Sequence, residues 1–521
     1  MLINAELLLQ YQRCKRRPFL DTYSDRRQRD AANDLLVKLQ QDKIAHQQSV
    51  LKHFTYEQPA YPYRDWRQGE TATLELMRLG VECIHQGVLS FDTEGYTLIS
   101  RPDLLLKQPG YSCFGDWIYV PATIELGKRP KQEYQVVAAF HAFVLARWLQ
   151  VELDTAWLIL RGKESGYAVD LDKWMPQMQE TLADLIQSLE QVEAPEVFIS
   201  RQRCSLCPWY SQCYAIAHST KHLSLLPGVT PVRYKQLQAL SITTVESLAQ
   251  TSPTELENLP GFDSQIAPKL VLQAQSVFLN RPLIVESTHV FSNERILLGG
   301  LSSNHEVLPQ KSSQLLLEPQ TSFINNRITN SHPIELYFDI EAQPDLDLDY
   351  LLGVLVVDKQ ANTEKFYSLL AEKESDEELI WQQFLDLVWQ YPQAPIYHFC
   401  VYEFDTTRRL AKLYRTPQSV VQPVLDRFVD VYAELTQSVA LPVESYALKA
   451  IARWLGFEWR DVDATGAKCI YWYDQWLKTG DHSLLEIIQR YNEDDCRATR
   501  SVKDWLVKFF QDEQWGIADE E

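Results

Sequence analysis

Apolar and polar positions change period several times along this chain, and each change marks an element. Ala31 to Val50 and Glu70 to Leu79 carry apolar residues at helical spacing. Tyr96 to Lys107 and Trp117 to Leu126 alternate as strands do, and Glu133 to Gln150 returns to helix. The mixture predicts an α/β domain over 1–217. From Leu223 to Leu279 the texture shifts to short helices divided by Pro-Gly turns. There Leu226-Pro-Gly228-Val recurs 33 residues later as Leu259-Pro-Gly261-Phe, which predicts a duplicated unit over 218–285. A stretch rich in Ser, Asn and Gln, 286–333, reads as a linker with some strand at Arg295 to Leu298. Ile334-Glu-Leu-Tyr-Phe-Asp-Ile-Glu then opens a second α/β domain, 334–521, as an alternating strand that ends in carboxylates.

A length of 521 residues exceeds one ordinary core, and 45% hydrophobic with 23% charged residues is normal globular composition, so several domains are expected. No run of about 18 apolar residues occurs, and the first residues soon meet Arg13, Lys15, Arg16 and Arg17. A cytoplasmic protein with no membrane partner is expected. Nine cysteines, an odd number, argue against a disulfide framework. The net charge of −20 opposes simple phosphate binding, but a nuclease gathers carboxylates for metal ions and needs basic residues only along its track. Arg13 to Arg29 and Lys128-Arg129-Pro130-Lys131 are such local stretches, or ordinary solvated faces.

Three groups of residues carry chemistry. Cys204, Cys207 and Cys213 stand in a C-x2-C-x5-C run, and Cys14 lies at the far end of the same domain. Three thiolates hold only part of a metal centre, so a distant fourth would staple chain start to domain end; spacing leaves iron-sulfur and zinc both open. Between those cysteines, Asp103 and Glu125 stand on two successive strands with Lys128 beyond. Two carboxylates there can ligate Mg²⁺ or Mn²⁺, and a lysine can orient water; a strand-end ion pair with Arg101 or Lys128 is the alternative. In the last domain, Asp339 and Glu341 share one strand face, and Tyr491 and Asp495 lie one helical turn apart.

The cysteine pattern, one early and three late around an acidic pair, resembles the RecB-like, Cas4-like and AddB-like nucleases. That resemblance implies a PD-(D/E)XK nuclease fold with a [4Fe-4S] cluster on Cys14, Cys204, Cys207 and Cys213. Two departures stand out. Gly127 occupies the family's lysine position, with Lys128 one further on, and Ala139 replaces the tyrosine of the Gln-x-x-x-Tyr motif that begins at Gln135. Gln135 is expected to touch substrate, and His85 to join the metal site, unless it is simply structural. Asp339, Glu341, Tyr491 and Asp495 resemble the DEDDy 3′-5′ exonucleases of the ribonuclease-H-like fold. This implies two divalent ions on the three acids, with Tyr491 placing the attacking water. The remaining acid falls on Glu403, with Asp405 as fallback, while Asp430, Ser445 and Lys449 follow the pattern as support for site or substrate.

The duplicated unit resembles tandem helix-hairpin-helix motifs, in which glycine turns such as Gly228 and Gly261 let helix N-terminal amides approach a phosphate. Thr230 and Asp263 replace the second glycine of each copy, and Asp263 would repel phosphate. A compact helical spacer is the other reading. Altogether the expected fold class is multidomain α/β: a cysteine-stapled PD-(D/E)XK domain, a helix-hairpin-helix connector and a ribonuclease-H-like exonuclease. The expected activity is metal-dependent hydrolysis of nucleic-acid phosphodiesters, chiefly single-stranded DNA ends in repair or recombination. The alternatives are an inactive cluster-stabilised scaffold that binds nucleic acid and an RNA-processing nuclease. No Gly-x4-Gly-Lys-Ser/Thr occurs, so unwinding would need a separate helicase.

Overall fold

A computed structural model describes residues 1–285 and 332–516, apart from Glu94 and Glu164. The strand expected at Arg295 to Leu298 lies outside the described residues. The chain divides into two compact units, Met1–Thr220 and Lys221–Glu521.

In the first unit the strands are β1 (Leu2–Asn4), β2 (Cys83–His85), β3 (Leu89–Asp92), β4 (Thr97–Ser100), β5 (Leu104–Ser112), β6 (Gly115–Glu125), β7 (Thr155–Leu160) and β8 (Tyr167–Asp170). The main sheet runs β2-β5-β6-β7-β8, and a small sheet runs β1-β4-β3. The helices are α1 (Ala5–Arg13), α2 (Arg17–Tyr23), α3 (Asp34–Leu51), α4 (Trp66–Arg78), α5 (Gln132–Leu149), α6 (Leu171–Leu189), α7 (Arg201–Cys204) and α8 (Tyr210–Ser219). Alternation along the strands sorts the two faces. Leu105, Tyr119 and Leu158 pack with Phe140 and Leu145 of α5, whereas Leu104 and Ala122 meet Leu51 at the end of α3. The single strand expected from Tyr96 to Lys107 is in fact two, in different sheets. Pro102 cannot donate to a ladder, so the chain breaks there and Asp103 falls in the break rather than on a strand.

The second unit begins with α9 (Pro231–Ala239), α10 (Val245–Ala249), α11 (Pro253–Leu256), α12 (Ile266–Leu279) and β9 (Leu283–Ile284). Gly228 and Gly261 adopt φ of +89° and +86°, a conformation side chains resist, so each turn requires glycine. Thr230 caps α9, its Oγ1 accepting from the Arg233 amide, and Asp263 Oδ1 accepts from the amides of Gln265 and Ile266 in the turn that leads into α12. Arg233 ties the copies together by donating to the carbonyls of both Gly228 and Gly261.

The rest of this unit is a five-stranded sheet of β10 (Ile334–Gln343), β11 (Leu348–Asp358), β12 (Thr363–Leu370), β13 (Ile396–His398) and β14 (Phe428–Asp430). Its order is β12-β11-β10-β13-β14, antiparallel among the first three and parallel from β10 onward. Around it lie α13 (Glu377–Trp389), α14 (Tyr402–Leu413), α15 (Gln418–Leu425), α16 (Val431–Ser438), α17 (Leu448–Trp454), α18 (Gly466–Thr479) and α19 (His482–Gly516), with the short β15 (Val439–Ala440) paired to β9. Phe338 stacks on Phe384 of α13, while Glu335, on the other face of β10, meets Lys503 of α19. The sheet is therefore covered on both sides, which is why β11 is apolar almost throughout. No helix among the described residues is long and apolar enough to cross a membrane.

Candidate active sites and cysteine centre

Strand β10 delivers the first two acids of the C-terminal site. Its even-numbered Phe338 and Ile340 belong to the core, so Asp339 and Glu341 turn together to the α19 side. A bulge between Glu341 and Ala342 ends the regular pairing just beyond them. Helix α19 supplies Asp495. One carboxylate oxygen from each of Asp339, Glu341 and Asp495 lies within 4.8 Å of the others; among the described residues this is the one such group of three. Glu341 and Asp495 are buried and Asp339 partly so.

Crowding three carboxyls this way is costly without a cation. Burial first, then the charge of Asp495, hold Asp339 and Glu341 well above the usual carboxylate range. Asp495 is pushed up to about 7, chiefly by burial, against the opposing donors Trp459 and Tyr491. Trp459 Nε1 donates to Asp495 Oδ1 at 2.7 Å, and the Tyr491 hydroxyl reaches the same carboxylate. Asn492 Nδ2 donates to Asp339 Oδ2 at 2.6 Å. The donor set is all oxygen, buried and partly oriented by neighbours, which suits Mg²⁺ or Mn²⁺.

Glu403 stands in the first turn of α14, buried, and its charge bears on both Asp339 and Glu341. His398 Nδ1 lies 3.7 Å from its Oε2. Asp405, the fallback, is exposed and faces Arg408 at 4.0 Å, so Glu403 is the acid the fold turns inward. Asp430 supports the backbone: its Oδ1 accepts from the amides of Cys400, Tyr432 and Ala433, fixing the loop before Glu403 and capping α16. Ser445 Oγ accepts from the amide of Ala447. Lys449 bonds the Ala464 carbonyl and lies 5.0 Å from the Tyr491 ring centre, beside the acids rather than out on the surface.

In the first unit, Asp103 and Glu125 also come together. Asp103 Oδ2 accepts the Ile124 amide at 2.6 Å, which draws the break before β5 onto the end of β6. Burial pushes Glu125 up to about 7, with Asp103 adding to the rise. Lys128 falls on an exposed bend beyond β6. The cation whose charge bears most on both acids is instead Lys43 of α3. Gln47, one turn later, donates to Asp103 Oδ1 at 2.9 Å, so this face of α3 overlies the acids. His85 is half-buried on β2 and feels the charge of Asp103; its Nδ1 is buried with no hydrogen-bond partner. Gln135 is buried and spends its amide on the Pro130 carbonyl at 3.1 Å. Beside Glu125 lies Tyr134, not a residue at position 139.

The four cysteines converge as well. Burial raises the pKa of Cys204, Cys207 and Cys213 and the charge of Cys14 adds to each rise, so the four lie near one another, although no three of their sulfurs fall within 4.8 Å of one another. Arg203 Nη1 bonds the carbonyls of Gln12 and Arg13, Trp209 Nε1 donates to Asp21, and the Asp30 amide donates to the Pro208 carbonyl. These contacts bring chain start and domain end together around the thiols. Burial holds Cys207 up at about 11, and Arg17 opposes that rise. Four half-buried thiols, with Arg16 and Arg17 among the charges that bear on them, are of the type that a cationic centre takes as thiolates.

Lys43, Trp459 and Asn492 were not legible as site residues. Asn492 adjoins Tyr491 in sequence, which is a signal of sorts; Lys43 and Trp459 carry none without the fold.

Residues 336–507 match a family model described as RNase_H superfamily. The C-terminal unit therefore contains an RNase H-like domain in a mixed α/β, multidomain chain. No curated protein matches. Among solved structures, one described as "Crystal structure of SSO0001" aligns over 41% of this chain and 86% of its own, with 11% identity and a TM-score of 0.22. A likeness that weak fixes neither fold nor function.

Proposed function

We propose that this chain is a divalent-metal-dependent nuclease whose RNase H-like domain trims nucleic acid from a 3′ end. The observation that carries this reading is the meeting of Asp339, Glu341 and Asp495, within 4.8 Å, on the sheet of an RNase H-like domain. These acids would hold Mg²⁺ or Mn²⁺, which supplies an activated water and neutralises charge on the scissile phosphate. Tyr491, anchored on Asp495, presents its phenol beside the acids and would orient the attacking water. Glu403 would complete the acidic set. Burial and mutual repulsion raise these carboxyls above the usual carboxylate range, so a bound cation would supply the compensation that their charged forms lack.

The first unit is proposed as a second hydrolytic head of the RecB-like PD-(D/E)XK kind, with Asp103 and Glu125 as metal ligands. Cys14, Cys204, Cys207 and Cys213 would hold a [4Fe-4S] cluster, for which the convergence of four thiols is the support. The substrate is taken to be single-stranded DNA with free ends, in repair or recombination, with unwinding left to a separate helicase.

End-labelled DNA and RNA strands with Mn²⁺ test this. Loss of stepwise 3′ shortening in D339A supports the C-terminal head, and loss of the remaining cleavage in D103A supports the other. Wild-type protein that cuts neither DNA nor RNA with either ion contradicts both.

A further inference from the structure

The catalytic acids explain neither the depth at which Asn492 is buried nor why β11 carries glycine at its centre. Asn492 has no exposed surface. Its Nδ2 donates to Asp339 Oδ2 at 2.6 Å, while its Oδ1 is buried with no hydrogen-bond partner. That oxygen is wedged against β11. Gly353 pairs with Asp339 across the β10–β11 ladder, and a Cβ built on Gly353 would lie 1.6 Å from Asn492 Oδ1. No real contact is that short, so any side chain at 353 must expel the amide. The glycine's φ is not in the left-handed region, so space alone, and not backbone conformation, requires it here.

We infer that Asn492 and Gly353 form a positioning pair that fixes the orientation of Asp339 toward the cation site. With Oδ2 engaged by the Asn492 amide, Asp339 is left to present Oδ1 as its free ligand oxygen. Gly353 leaves the space in which the amide sits, and the buried Oδ1, having no alternative donor, keeps Nδ2 turned to the acid. A flipped amide would set two oxygens against each other in a buried place. Neither residue would touch substrate. Both act through Asp339, as partners behind a metal ligand commonly do, and their removal commonly costs about 10–100-fold in metal affinity. This inference rests on the reading of the three acids as a divalent-cation site.

The test is Mn²⁺ binding by electron paramagnetic resonance, with the full chain, on wild type, D339A, N492A, G353A and the G353A/N492A double variant. Circular dichroism melting reports folding. The expected result is a rise in the Mn²⁺ dissociation constant of about 10–100-fold for N492A and for G353A. The double variant should match N492A alone, because without the amide a methyl at 353 has nothing to displace. N492A with wild-type Mn²⁺ affinity overturns the inference, as does a double variant in which the two losses simply multiply. Should G353A fail to fold, N492A decides alone. If D339A leaves the tight Mn²⁺ site intact, the reading of the acids has failed and the inference falls with it, an outcome distinct from loss in D339A but not in N492A.

Discussion

Asp495 binds its proton more tightly in the folded chain than in the unfolded one, and this fixes the sign of a pH dependence. Its carboxyl titrates at about 7 folded against 3.8 for an ordinary aspartate. The folded state therefore holds the extra proton between those values, and metal-free stability falls as pH rises from about 4 to about 7. Asp339 and Glu341, also raised, act in the same direction. Cations take the ionised acids, so Mn²⁺ should raise the melting temperature more at about pH 8 than at about pH 5, with proton release on binding. Calorimetry at the two pH values checks this; a metal effect independent of pH would contradict it. The acids themselves were readable from sequence, because Asp-x-Glu on an alternating strand fixes a shared face. Their partners were not: Trp459 and Asn492 reach the acids only once α19 and the loop between α17 and α18 lie on the sheet. Asp405 and Glu403 show the same limit, since two acids two residues apart on a helix differ in burial by geometry that only packing decides.

Two helices set the sites. On α19, buried Lys503 pairs with Glu335 at 2.8 Å, on the same strand face as Asp339, so this ion pair fixes the register that brings Asp495 to β10. Glu335 also holds Tyr337 and Lys359. K503M should cost about 1–3 kcal/mol, since Glu335 loses one buried cation but keeps Lys359 and Tyr337. Urea unfolding of the C-terminal unit measures it, and a change under about 1 kcal/mol would contradict the role. On α3, Lys43 rather than Lys128 is the cation facing Asp103 and Glu125. In a D339A background, K43A should reduce the remaining Mn²⁺-dependent cleavage by about 10–100-fold, while K128A changes it less than about threefold. The reverse ranking of initial rates would restore Lys128. The segments read from period at Ala31 to Val50, Glu70 to Leu79, Trp117 to Leu126 and Glu133 to Gln150 each overlap an element, whereas Tyr96 to Lys107 breaks at Pro102. The lysine was not legible, because α3 and β6 are joined through space and no local spacing records that.

At the scale of the molecule, the chain is two compact units, each with its own acidic group, and in the first the cysteines lie where chain start and domain end meet. A C207S variant should lose iron-dependent visible absorbance after anaerobic purification. It should also melt its first unit about 5–10 °C lower, equivalent to ~2–3 kcal/mol for a unit of this size. A colourless wild type that contains zinc would replace the cluster with a zinc staple. The duplicated Pro-Gly unit was legible as a repeat, and Arg233 shows how its copies lock together. Its chemistry was less legible: Asp263 spends its carboxylate on the α12 amides a phosphate would need, a use that only the folded turn displays.

The most direct measurement is anomalous diffraction from crystals soaked in Mn²⁺. A peak bounded by Asp339, Glu341 and Asp495, at ligand distances of about 2.0–2.3 Å, is expected, and it should disappear in D339A crystals. A fully occupied soak with no peak among those three carboxylates would contradict it.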